Sequence, residues 1–460
     1  MLLKLPGRYI WNGSRNLVNR YSHALVLLTL AAACGGSDAP PSDPDAKLRA
    51  GLQGIRPLLP QPAQDPALVD LGRALFFDKI LSGNRDISCA TCHLAGVGLG
   101  DGLSLSIGTG GTGAGPARTL GVGREFEPRN ALTLLNVGFL AESGKGALFW
   151  DGRVQTSGDL LLTPAGAAMP PDVTDVLAAQ AMFPVVSRVE MRGEPGDLDV
   201  FGQANELAAF GDTDFPGIWN AIMQRLLAIP EYVARFNAAF PNTATNALGF
   251  QHAAAAIAAF ERQSLNRIDS PFDRYLSGDN AALTTQQKLG GMLFFGSARC
   301  VNCHSGSALG GRTLAFNIGA PQLGPGVGAA APLDRGLGAF NFRPPPLRNV
   351  ELTAPYMHDG AYATLEAVAR HYNDVVFAQQ NFDVSQLAPM FRASHHGDAA
   401  TITAVSAMLS NSLLPAPGTL ADDGDRNNLV AFLKSLTDPT ARDLSSLVPA
   451  SVPSGLPVAD

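Results

Sequence analysis

With 460 residues, 46% of them apolar and only 16% charged, the chain is long enough for two or three domains around an ample core, which excludes a small disulfide-stapled fold. Its net charge is −7, from 33 Lys and Arg against 40 Asp and Glu, and no basic run stands out, so no nucleic acid partner is expected. Gly and Pro (49 and 33 residues) are raised but stay below the low-complexity range, as in a globular, loop-rich protein.

In chain order, Lys4, Arg8, Arg15 and Arg20 precede the apolar run Ala24–Ala33 (ALVLLTLAAA), which is about half the ~20 residues that span a membrane. The pattern predicts an export signal over 1–34 and an exported or periplasmic protein. Cys34, after Leu30-Ala31-Ala32-Ala33 and before Gly35-Gly36, resembles a bacterial lipoprotein cleavage site, which implies a lipid anchor at Cys34; an ordinary cleaved signal is the alternative. Residues 35–64, dense in Pro and Asp, are expected to form a flexible linker.

Every cysteine beyond Cys34 lies in a CxxCH: Cys89-Ala-Thr-Cys92-His93 and Cys300-Val-Asn-Cys303-His304. Composition alone would give such a motif roughly 0.001 times per chain. Two thiols at this spacing reach the two vinyl groups of one haem as thioethers, and the adjoining imidazole then binds the iron. A zinc site, a redox pair or structural disulfides would leave the His after each pair unexplained. Two covalent c-type haems follow, with His93 and His304 as iron ligands.

The motifs sit in an internal repeat, Leu71-Gly-Arg-Ala-Leu-Phe-Phe77 before the first and Leu289-Gly-Gly-Met-Leu-Phe-Phe295 before the second. Trp219–Ala239 and Ala247–Leu265 have helical apolar spacing, and no segment shows sustained strand alternation. The expected fold is therefore mainly α: two cytochrome c-like haem domains with long loops, over 65–270 and 271–445. Their linker is expected within Asn266–Asp279, and 446–460 is expected as a poorly ordered tail.

The segments LGRALFFDKILSGNRDISCATCH (71–93), DGLSLSIG (101–108), PRNALTLLN (128–136), FWDGR (149–153), AIAAFERQSLNRIDSPFDRYLSGD (256–279), CVNCHSG (300–306) and FRPPPLRNVELTAPYMHDGAYATLEAVARHYN (342–373) resemble the bacterial di-haem cytochrome c peroxidase family, which includes MauG-like enzymes. The resemblance implies a first haem that reacts with hydrogen peroxide and a second that receives electrons from a small donor protein, cytochrome c or a cupredoxin. It also leaves room for a homodimer. It places Gln180, Pro184 and Glu190 over the peroxide face of the first haem. Glu190 is then the catalytic proton carrier, since a carboxyl in an apolar pocket can have its pKa raised for that task. Gln180 orients the peroxide, and Trp150 lies between the haems as an electron path. Asn130, Thr353 and Pro355 match the family's interdomain calcium ligands, oxygen donors that suit a hard cation.

Two departures set the subtype. Histidine-gated peroxidases carry a blocking His in the loop after SIG, where this chain has Thr109 and no His from 94 to 251. Fourteen residues after His358, where those enzymes place a Met ligand, stands Tyr372. This resembles the MauG-like arrangement, in which an anionic phenolate favours highly oxidised iron; His371 and Met357 are the neighbouring alternatives. His395-His396 reads as a solvated loop pair. The expected activity is peroxide reduction to water. A MauG-like oxidase acting on a protein substrate and a non-catalytic di-haem electron carrier are the alternatives.

Overall fold

The computed structural model describes residues 43–52, 54–141, 146–311, 313–324 and 333–459; the export segment and Cys34 lie outside the described residues. The repeat noticed in the sequence is built twice in three dimensions. Asp65 caps the helix Pro66–Phe77 by accepting the Ala67 N–H, and Pro66 supplies the fixed φ of its first position. Its buried face packs on the helix Phe250–Ser264. Gly72 permits this close crossing, because a Cβ there would stand 1.9 Å from the Ala256 carbonyl oxygen. In the second half Thr284 and Gln287 form a capping box on the helix Thr285–Phe295, which packs on Asp423–Lys434. Gly290, the repeat partner of Gly72, would bring its Cβ within 1.8 Å of the Asn428 oxygen. The aromatic pairs repeat as well: Phe76 meets Phe260 and Phe294 meets Phe432, both at 5.3 Å between ring centres.

Each half has its own core. The first gathers Leu71–Leu81, the segment around Val176–Met191 and the helices Phe215–Leu227, Pro230–Ala239 and Phe250–Ser264. The helical run expected over Trp219–Ala239 is thus two helices, because Pro230, which has no N–H to donate, starts the second. The other core gathers Phe272, Tyr275, Phe294, Leu309, Leu365 and the face of Asp423–Lys434. A smaller cluster joins Leu103, Leu105, Ile107 and Phe126 to Leu323, Tyr362 and Phe391.

The first described segment and the C-terminal tail each pack on the half remote from them in sequence, which corrects two expectations. Residues 43–64 are not a free spacer: the helix Pro44–Gly51 buries Leu48, and Leu52 and Ile55 follow it into the second core. The tail after Ser445 is likewise placed, with Val452 and Leu456 in the first core. Ser454 donates its hydroxyl to the buried Asp78 carboxylate at 2.6 Å, and Tyr232 donates to the same group at 2.7 Å. A buried carboxylate needs such partners, and the Ser/Pro/Val composition of the tail concealed that it supplies one. The expected linker is also fixed. Asn136 accepts the Arg267 N–H at 2.7 Å and donates to its carbonyl at 2.9 Å, and Pro271–Leu276 is a helix whose Phe272 and Tyr275 belong to the second core.

A three-stranded antiparallel sheet, unexpected from the sequence, pairs Ala147–Leu148 with Val154–Ser157 and that strand with Leu160–Leu162. These strands are too short for alternation to be read. The first turn of the sheet, Phe149–Arg153, carries Trp150, with Phe149 and Gly152 both at positive φ (65° and 64°).

Candidate haem and peroxide site

Each CxxCH forms one tight turn. His93 donates its backbone N–H to Cys89 O at 2.9 Å and His304 to Cys300 O at 2.8 Å, which closes the backbone of each motif on itself. Leu99 and Leu309 stand at the matching places in the two halves, both at positive φ (57° and 53°). This turns their carbonyls onto the His Nδ1 atoms, at 3.0 and 3.1 Å. An Nδ1–H held by a carbonyl leaves Nε2 as the free, electron-rich nitrogen. Burial lowers the pKa of His93 and takes that of His304 down to about 4, so both rings are neutral and able to bind a metal. The four thiols form no disulfide. Burial pushes Cys89 and Cys300 up to about 12 and raises Cys92 as well, the opposite of the depressed pKa a redox-exchange thiol requires. This donor set fits haem attachment.

The two motifs open onto different cavities. The first, about 40 Å³, is lined by Cys89, Cys92 and His93 together with Gln180, Pro184 and Glu190. Asp175 caps the helix Val176–Ala181 that carries Gln180. Glu190 lies in the single wide turn Arg188–Arg192, where Ser187 accepts the Glu190 N–H at 3.3 Å and Gly193 (φ 84°) ends the turn. Burial holds the Glu190 carboxyl above the usual carboxylate range, with Arg153 pulling the other way. Sequence reasoning missed two further carboxyls. Glu127 accepts the Ser187 hydroxyl at 3.4 Å, and burial beside Glu190 takes it up to about 8. Glu261 lines the same cavity, its Oε2 has no hydrogen-bond partner, and burial takes it up to about 8. The signal for Glu261 was a lone carboxylate four residues after Ile257 on the apolar face of an Ala-rich helix.

The second cavity, about 190 Å³, is lined by Cys300, Cys303, His304, Trp150, Met357 and Tyr372 among others. His371 is not among its lining residues, and both its ring nitrogens are engaged, Nδ1 with the Tyr362 hydroxyl and Nε2 with the Ile318 carbonyl, each at 2.9 Å. Burial raises the Tyr372 phenol. Trp150 donates Nε1–H to Asn130 O at 2.9 Å, and Asn130 donates its own N–H to His358 O at 2.8 Å, so the turn carrying Trp150 is hydrogen-bonded into the seam between the halves. Asn130, Thr353 and Pro355 share this cavity wall, and the Asn130 amide donates to Leu103 O at 2.7 Å. His358 stacks on Phe342 with ring centres 3.7 Å apart, and burial takes its pKa down to about 3. The His395-His396 pair is not solvated as expected: His396 is buried, its N–H donated to Gln322 O at 2.8 Å.

Residues 66–281 match the family model of the di-haem cytochrome c peroxidases. The cytochrome c551 peroxidase of Pseudomonas aeruginosa is 31% identical over 93% of this chain and 94% of its own length. The methylamine utilization protein MauG of Methylorubrum extorquens is 31% identical over 67% of this chain and 69% of its own. Among solved structures, a MauG-like protein associated with microbial copper homeostasis aligns with a TM-score of 0.54 at 27% identity, covering 84% of this chain and 94% of that one. With two CxxCH sites in a twice-built helix pair and similarity of this extent, the chain belongs to the di-haem cytochrome c peroxidase and MauG family and is an oxidoreductase, and that membership implies two c-type haems.

Proposed function

We propose that the chain is an exported di-haem peroxidase that reduces hydrogen peroxide to two waters, taking two electrons from a small donor such as a cytochrome c and two protons from solvent. The observation that carries this reading is that the cavity wall bearing Cys89, Cys92 and His93 also bears Gln180 and Glu190. Haems attached through Cys89/Cys92 and Cys300/Cys303, with His93 and His304 as ligands, would supply the redox chemistry. The chain's own residues do the rest. The Gln180 amide orients peroxide by hydrogen bonding. The Glu190 carboxylate takes the proton from one peroxide oxygen and hands it to the other, so that the departing oxygen leaves as water rather than hydroxide. Trp150, fixed through its indole N–H, would offer an electron path between the halves, and Tyr372 would supply a phenolate to the second haem.

Asn130, Thr353 and Pro355 would hold calcium across the seam, and the N-terminal segment would direct export, with a lipid at Cys34. Among the described residues no helix is long and apolar enough to cross a membrane. A second reading, oxidation of a protein substrate, draws support from Tyr372 beside the second cavity.

Steady-state oxidation of reduced cytochrome c separates these readings. Peroxide-dependent, saturable turnover within the common enzyme range of roughly 1–10³ s⁻¹ is expected. Two haems with no peroxide-dependent turnover would reject the peroxidase and leave the electron carrier or the protein oxidase.

A further inference from the structure

The segment Ile107–Thr119 has five glycines and no ligand to offer the first cavity. Such a stretch loses much backbone freedom on ordering and stays placed only if it is tied. Here it is tied from two sides. Arg118, 2% exposed, donates to the carbonyls of Ile107, Gly108 and Gly113 at 2.8, 2.8 and 2.7 Å. Asp86, three residues before Cys89, accepts the Thr109 hydroxyl at 2.8 Å and the Gly110 N–H at 2.6 Å. The Thr109 side chain is thus turned onto Asp86. The tied segment then meets the turn that carries Glu190: the Thr109 N–H donates to Glu190 O at 2.9 Å. A Cβ on Gly108 would lie 2.0 Å from Val189 O and 2.8 Å from the Glu190 Cα, so the two backbones are in direct contact.

We propose that Asp86 and Arg118 are positioning residues for Glu190: they tie the glycine-rich loop into a fixed backing wall that keeps the Glu190 carboxyl in the cavity. The proposal rests on the reading of Glu190 as the proton carrier. A misplacement of about 1 Å at a reacting group can cost about 100-fold, so the wall acts on turnover more than on peroxide affinity.

The test uses the haem-loaded full chain with Asp86→Ala, which removes both acceptors, Thr109→Val, which removes one donor at nearly constant shape, and Asp86→Asn, which keeps one acceptor. Asp86→Ala is expected to lower kcat by about tenfold or more, with KM for peroxide within about twofold and both haems retained. Thr109→Val should fall between it and the unaltered chain, Asp86→Asn should recover part of the loss, and Asp86→Ala should add nothing further in a Glu190→Gln background. Unchanged kcat in Asp86→Ala, or an equal loss with and without Glu190, overturns the proposal. Should Asp86→Ala lose haem, unchanged kcat in Thr109→Val overturns it instead. If Glu190→Gln itself turns over normally, the reading of Glu190 has failed; if Glu190→Gln is inactive and Asp86→Ala fully active, only the positioning role has.

Discussion

Replacing Glu190 by Gln is expected to leave both haem sites loaded and to lower peroxide turnover by at least about 100-fold, the lower end of the ~10²–10⁴ that a general acid–base group contributes. The isosteric amide keeps the Arg188–Arg192 turn, because the Ser187 hydroxyl accepts the backbone N–H of residue 190 and not its side chain. What is lost is the capacity to take a proton from one oxygen and return it to the other. The pH dependence carries the same signature. Burial raises the Glu190 pKa, and the free enzyme must hold the carboxylate form to accept the peroxide proton. kcat/KM therefore falls as pH drops through that raised value, and the limb disappears in Glu190→Gln. Near-normal turnover, or the same limb in the variant, would transfer the proton role to Glu127 or Glu261, the other carboxyls burial has raised around this cavity.

Tyr372→Phe is expected to fail elsewhere. The first cavity does not include Tyr372, so peroxide should still be bound and cleaved there. Loss of the proposed anionic oxygen ligand should change the spectrum of the second haem and raise its potential by on the order of 0.1 V, within the roughly 0.8 V that axial ligands command. Spectroelectrochemical titration of the variant checks this. An unchanged spectrum and potential would exclude Tyr372 as the ligand and leave Met357, which lines the same cavity, or no further side chain in that role. His371 does not return as a candidate while both its nitrogens are bound by Tyr362 and Ile318.

The haem sites were legible in the sequence because thioether chemistry imposes a rigid local spacing, and the LG…LFF repeat was legible because a glycine at a helix crossing cannot be exchanged for a larger residue without clash. The partner helices repeat too, through Phe260 and Phe432, but around them one helix is Ala-rich and the other is not, which hides the correspondence. The anchors of residues 43–55 and of the tail were not legible for a different reason: Leu48, Val452 and Leu456 are apolar anchors in Pro- and Ser-rich surroundings, where composition averages them away. Gln180 and Glu190 stand out in the sequence only through the family resemblance, since a lone Gln or Glu among alanines otherwise reads as a solvated face; the structure places both on the wall of the first cavity. Glu127 was out of reach of either route. It meets Ser187 across 60 residues of chain, a distance over which no periodicity carries information.

The measurement that bears most directly on the proposed peroxidase is rapid mixing of the fully oxidised, unreduced protein with one equivalent of peroxide, followed optically. With Thr109 committed to Asp86 and to Glu190 O, no histidine between 94 and 251, and a phenolate expected to hold the second haem oxidised, a high-spin ferric component at the start and immediate reaction with peroxide are expected. A wholly low-spin ferric protein that ignores peroxide until it receives one electron would contradict this expectation.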